Sequence, residues 1–148
     1  MRRVAVQTAD FNVAAELAAL SPGAGGVASF IGIVRGESGG RLLAALRLEH
    51  YPGMTEKALA RLADAGLARW ALSGCAIIHR VGRLTPGANI VLVAAASRHR
   101  ADALAATAYL IDRLKTDAPF WKAEEFADGG TEWVTARPAD DEAAAAWA

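Results

Sequence analysis

"CAIIHRVGRLTPGANIVLVAAAS", residues 75–97, holds two apolar runs separated by a Pro86-Gly87 turn. The first run, 75–82, and the second, 89–97, are short, β-branched and bounded by breakers, which predicts two strands joined as neighbours and not through a helix. Between Asn89 and Ser97 every residue is apolar, so this strand is expected to be buried on both faces. Strands joined by a turn, with helices not strictly interleaved between them, favour α+β over a doubly wound sheet.

The flanking segments agree. Residues 2–8 read as a strand and 12–20 as a short helix stopped by Ser21-Pro22-Gly23. "VASFIGIVR" (27–35) is β-rich, "GESGG" (36–40) reads as a flexible loop, and "LRLEH" (46–50) alternates as a half-buried strand does. Leu59, Leu62, Ala63, Gly66 and Trp70 form an apolar stripe on a helix over 54–70. Another helix is predicted from Arg100 to about Asp117, where Pro119 forbids continuation. "FWKAEEF" and "EWVTA" flank Gly129-Gly130 as a terminal hairpin, and the Ala-rich tail from Ala139 carries no recognised motif. The class expected is α+β, and with no linker or repeat the whole chain, 1–148, reads as one domain.

Composition narrows the function. With 53% hydrophobic and 22% charged residues the chain is expected to fold unaided. Sixteen basic and sixteen acidic residues cancel, so no global field favours nucleic acid and any anion site has to be a local cluster. The single cysteine, Cys75, excludes an intrachain disulfide and reads as a small buried hydrophobe. The N-terminal residues contain no apolar run fit for a signal peptide or a membrane span, so a cytoplasmic protein is expected.

"LKTDAPFWK", 114–122, sets Lys115 and Lys122 on either side of a rigid corner. Leu104, Ala108, Ile111 and Lys115 are spaced 4, 3 and 4, which predicts that Lys115 continues a buried stripe of its helix into a cleft. The spacing equally fits a lysine in a last turn that snorkels to water. Strand alternation puts Phe120 and Lys122 on one face, and the fixed corner could bring the two amines together. "SRHR", 97–100, stands at a strand-to-helix junction that favours anions, and Arg35 ends an apolar strand before a glycine loop. Both also fit ordinary polar surface. "GAGGVA" (23–28) leads into a strand and so fails as a dinucleotide motif, and His50, His79 and His99 lack zinc-ligand spacing.

"LEHYPGMTEKAL" (48–59), "HRVGRLTPG" (79–87), "SRHRADA" (97–103) and "LKTDAPFWK" (114–122) together resemble the catalytic, large subunit of molybdopterin synthase, over roughly residues 4–137. The resemblance implies a hammerhead-type α+β fold with a largely antiparallel sheet, and a homodimer within a heterotetramer. It implies a small ubiquitin-like sulfur-carrier subunit whose C-terminal Gly-Gly thiocarboxylate enters a pocket, and sulfur transfer to cyclic pyranopterin monophosphate (precursor Z). It implies pocket residues Arg35, His99, Arg100, Lys115, Lys122 and Glu124, with the lysines catalytic, and no metal or organic cofactor. The loop Gly36-Glu37-Ser38-Gly39 departs from the family's Asn-containing version. An alternative is a non-catalytic adaptor that captures a Gly-Gly tail through strand pairing.

Overall fold

The computed structural model describes residues 1–134 and 138–148. Four strands form the first sheet: β1 (Arg2–Gln7), β2 (Gly26–Ile33), β5 (Leu72–Arg80) and β7 (Asn89–Ser97), in the order β1-β5-β7-β2. β1 runs parallel to β5, and the other two pairings are antiparallel. The two runs of the quoted stretch are neighbours, as predicted, and this antiparallel β5–β7 pair is the centre of the sheet.

β7 is buried on both faces for a visible reason. Val91 and Val93 pack, with Cys75 and Ile77 of β5, against helices α2 (Met54–Arg69) and α3 (Arg100–Asp117). Leu92, Ala94 and Ala96 face the other way, toward Phe11 and Leu20, which lie just before and at the end of α1 (Val13–Leu20). Small alanines on that face let α1 sit close to the sheet. Gly66 of α2 meets α3 the same way, since a Cβ there would lie 3.2 Å from Leu110 Cδ2.

The second sheet contains β3 (Glu37–Ser38), β4 (Arg41–His50), β8 (Phe120–Phe126) and β9 (Thr131–Trp133) in that order, with β6 (Gly82–Leu84) also on β4. All of these pairings are antiparallel. Three readings of the sequence change here. The run 75–82 is two strands, because the chain leaves the first sheet after Arg80 and joins the second at Gly82, a residue at φ +93°. The "GESGG" loop is the tip of a β3–β4 hairpin, and β4 begins at Arg41, five residues earlier than expected. Its Arg41 anchors that end by ion pairs to Asp128 (2.9 Å) and Glu132 (3.3 Å) and lies over the Phe126 ring.

The third change is a helix in the Ala-rich tail, α4 (Pro138–Ala145). Pro138 opens it and Asp140 and Asp141 occupy its first turn, both favourable at a helix N-terminus. Just beyond it Trp147 is clamped: Nε1 donates to Asp112 at 2.8 Å, its carbonyl accepts from Arg69 at 2.7 Å, and its ring meets Trp70 and Tyr109 edge-on at 5.7 Å. The expected hairpin strand "EWVTA" is seen as β9 and Val134; residues 135–136 lie outside the described residues.

Candidate active site

The stripe Leu104, Ala108, Ile111 and Lys115 is not the buried face of α3. Leu104 is 60% exposed and Lys115 is exposed, whereas Ala103, Ala106, Leu110 and Leu114 fill the core. Both stripes are apolar at helical spacing, and α3 meets the sheet through the one that begins at Ala103. Lys115 thus stands in the last turn beside the core and not in it. Ala118 caps the helix and Pro119 turns the chain, so β8 starts at Phe120.

That corner brings the two lysines together. β8 pairs antiparallel with β4 in the register Phe120↔His50, Lys122↔Leu48 and Glu124↔Leu46, so period-2 alternation aims Phe120, Lys122 and Glu124 at one side. Lys115 and Lys122 both line each of two lobes of a hollow between the sheets. The smaller lobe, about 170 Å³, also carries His79, Leu114 and Phe120; the larger, about 410 Å³, carries Arg35, Glu37 and Glu124. Gly32, Val134 and Asp140 line both. Gly32 permits this close approach, since a Cβ would lie 2.9 Å from Val91 Cγ1.

Arg35, Lys115, Lys122 and Glu124 are therefore gathered in one place. His99 and Arg100 are not. They stand exposed at the start of α3, 15 residues from Lys115, roughly 22 Å of helix rise away. There the chain is closely fitted: Gly25 donates to Ser97 O at 2.8 Å, and a Cβ on Gly25 would lie 2.0 Å from Arg98 O.

Sequence reasoning expected a cationic hollow; among the described residues its cations do not outnumber its carboxylates. Arg35, Lys115 and Lys122 are matched there by Glu37, Glu124 and Asp140. Glu37 and Asp140 come from the hairpin and the helix that periodicity did not disclose. His79 was also missed. It is 5% exposed, its ring is stacked on Phe120 at 3.8 Å and 16°, and Nδ1 lies 2.7 Å from Arg80 O. Burial, then the fields of Lys115, Lys122 and His50, push its pKa down to about 4. Its place on the Cys75-Ile77-His79 face of a buried strand was the available signal.

Cys75 is wholly buried, and burial pushes its thiol up to about 11, which removes it as a nucleophile at neutral pH. Among the described residues no group of three or more His, Cys, Asp or Glu side chains comes together to hold a metal ion. Among them, too, no helix is long and apolar enough to cross a membrane.

Comparison with known proteins fits this geometry. The family described as "MoaE protein" matches residues 6–117. The molybdopterin synthase catalytic subunit of Ralstonia nicotianae is 52% identical over 150 residues, covering 99% of this chain and 85% of that protein. A solved molybdopterin biosynthesis MoaE protein from Burkholderia ambifaria superposes with a TM-score of 0.83 at 49% identity, covering 99% and 98% of the two chains. Molybdopterin synthase from Staphylococcus aureus superposes with the same score at 32% identity, covering 88% and 95%. A family match over most of the chain, joined to relatives alike from end to end, makes this chain a member of the MoaE family, the catalytic subunits of molybdopterin synthase.

Proposed function

We propose that this chain, folding as one domain in the cytoplasm, carries out the sulfur transfer of molybdopterin synthase in the hollow lined by Lys115 and Lys122. The donor is the C-terminal thiocarboxylate of a small ubiquitin-like carrier subunit and the acceptor is cyclic pyranopterin monophosphate. The observation that carries this reading is the convergence of two lysines from distant positions of the chain on both lobes of one hollow.

Both reactants are anions, so bringing them together requires fixed positive charge where water is largely displaced. Lys115, at the end of α3 beside the narrow lobe, stabilises charge on the carrier's terminal carbonyl and sulfur. Lys122 stabilises the departing phosphate oxygen or donates its proton. Arg35, on the wide lobe, suits a phosphate because its guanidinium forms paired hydrogen bonds to two oxygens. Glu124, two residues from Lys122 on the same face, lines the wide lobe beside it.

Among the described residues the hollow holds as many carboxylates as cations, which leaves a use for further positive charge from a second copy in a homodimer. His99 and Arg100 are too far along α3 to serve their own Lys115, so they act on substrate in the hollow of a second copy. There they tip the balance toward anion binding. Mixing the purified chain with thiocarboxylated carrier and cyclic pyranopterin monophosphate tests the proposal. Dithiolene product is expected, and carrier binding without product would leave the chain a mere adaptor.

A further inference from the structure

One polar group on the wall of the narrow lobe has no part in the transfer just described, the His79 imidazole. Its Nδ1 sits 2.7 Å from the Arg80 carbonyl oxygen. A carbonyl only accepts, so Nδ1 holds the ring's proton and Nε2 of the neutral ring holds a lone pair. The Arg80 backbone is itself fixed, because its guanidinium donates to Thr8 O at 3.0 and 3.2 Å and to Asn89 O at 3.0 Å. Stacking on Phe120 prevents the ring from turning without loss of both contacts.

Among the described residues, the charged and titratable groups around this ring are Lys115 and Lys122, His50, whose ring lies 6.4 Å from that of Phe120, and Asp140, which lines the same lobe. Of the two lysine fields at His79, that of Lys115 is the larger. Burial and these cations keep the imidazole uncharged at any pH near neutrality. The wall beside the lysine pair is therefore a neutral acceptor of fixed direction.

We propose that His79 is a positioning residue for sulfur transfer: its Nε2 lone pair is the acceptor, through one water in the lobe that both residues line, toward which the Lys115 ammonium is turned. This rests on the role given to Lys115 above. A lysine side chain has much rotamer freedom to lose, and an apolar wall would leave its ammonium to turn out to water. A carboxylate in the same place would bind the ammonium but repel both anionic reactants. A neutral imidazole orients the amine and leaves its charge available.

His79→Phe keeps a ring against Phe120 and removes the acceptor, whereas His79→Gln restores an acceptor without the stack. In the complex with carrier, the His79→Phe variant is expected to transfer sulfur about tenfold more slowly at saturating substrate, the loss of one orienting hydrogen bond, with carrier affinity unchanged. His79→Gln should recover most of that loss. Independently of turnover, the pH midpoint for acylation of Lys115 by acetic anhydride, read by peptide mass spectrometry, should fall in His79→Phe and return in His79→Gln.

A His79→Phe variant with wild-type turnover and an unshifted midpoint overturns the proposal. So does a Gln variant as slow as Phe with the midpoint still displaced, which would leave the ring a core filler. Should Lys115→Ala itself turn over normally, the fault lies in the reading of Lys115; should it be inactive while His79→Phe is normal, only the role of His79 fails.

Discussion

At the scale of the residue, His79 ties the site to stability. Its ordinary pKa of 6.5 is lowered to about 4 in the folded chain, chiefly by burial. Between those values the unfolded chain binds a proton that the folded chain refuses, so stability is full above pH 6.5 and falls as the pH drops toward 4. The loss from this group is on the order of 3 kcal/mol over that window. His79→Phe should remove this share of the acid sensitivity, and denaturant titrations of both chains at pH 7 and pH 4.5 check it. Parallel slopes for the two proteins would mean that the imidazole is not held neutral. The lysines show how little a single position discloses. Lys115 was legible as exceptional because it stands on an apolar stripe, but α3 has two such stripes, and only contact with the sheet decides between them.

At the scale of the element, the sequence disclosed what rests on periodicity and breakers. β7 and α3 fall where expected, and the Pro119 corner delivers Lys122 to the face that Phe120 shares. What remained hidden depends on pairing across the chain. The β3–β4 hairpin closes through Arg41 onto residues some ninety positions away. α4 has a low amphipathic signal, since its alanines serve any face, and it is held from outside by Trp147. Trp147→Ala deletes two ring contacts, and with them the hydrogen bond from Nε1 to Asp112. We expect a cost of about 2 kcal/mol, which for a chain of this size lowers the Tm by roughly 6 °C in thermal melts. An unchanged Tm would mean that α4 is not docked by this ring. Because Asp140 lies on α4, the same variant should also alter salt-dependent anion binding in the hollow.

At the scale of the whole molecule, the two sheets meet so that a hollow opens between them, and the helix that ends there begins at the other end of the fold. That separation predicts complementation between copies. Arg100→Ala and Lys115→Ala homodimers should each be impaired, while mixed dimers of the two should regain activity, because one of their two hollows then has an intact Lys115 and a partner with an intact Arg100. Activity of the mixture equal to the sum of the separate variants would contradict it. A formal charge of zero is compatible with a local anion site: opposite charges are spread over the surface as exposed pairs such as Arg2–Asp64, while folding gathers Arg35, Lys115 and Lys122 on one hollow.

The most direct measurement is the single-turnover rate of sulfur transfer by Lys115→Ala and Lys115→Arg, each in complex with thiocarboxylated carrier. Loss of about 10²–10³-fold is expected for alanine with the fold and carrier affinity retained, the scale seen when one group stabilising developing charge is removed. Arginine, which keeps the charge, should recover a measurable part of the rate. Transfer by Lys115→Ala at the wild-type rate would contradict the assignment of this hollow as the place where the two anions react.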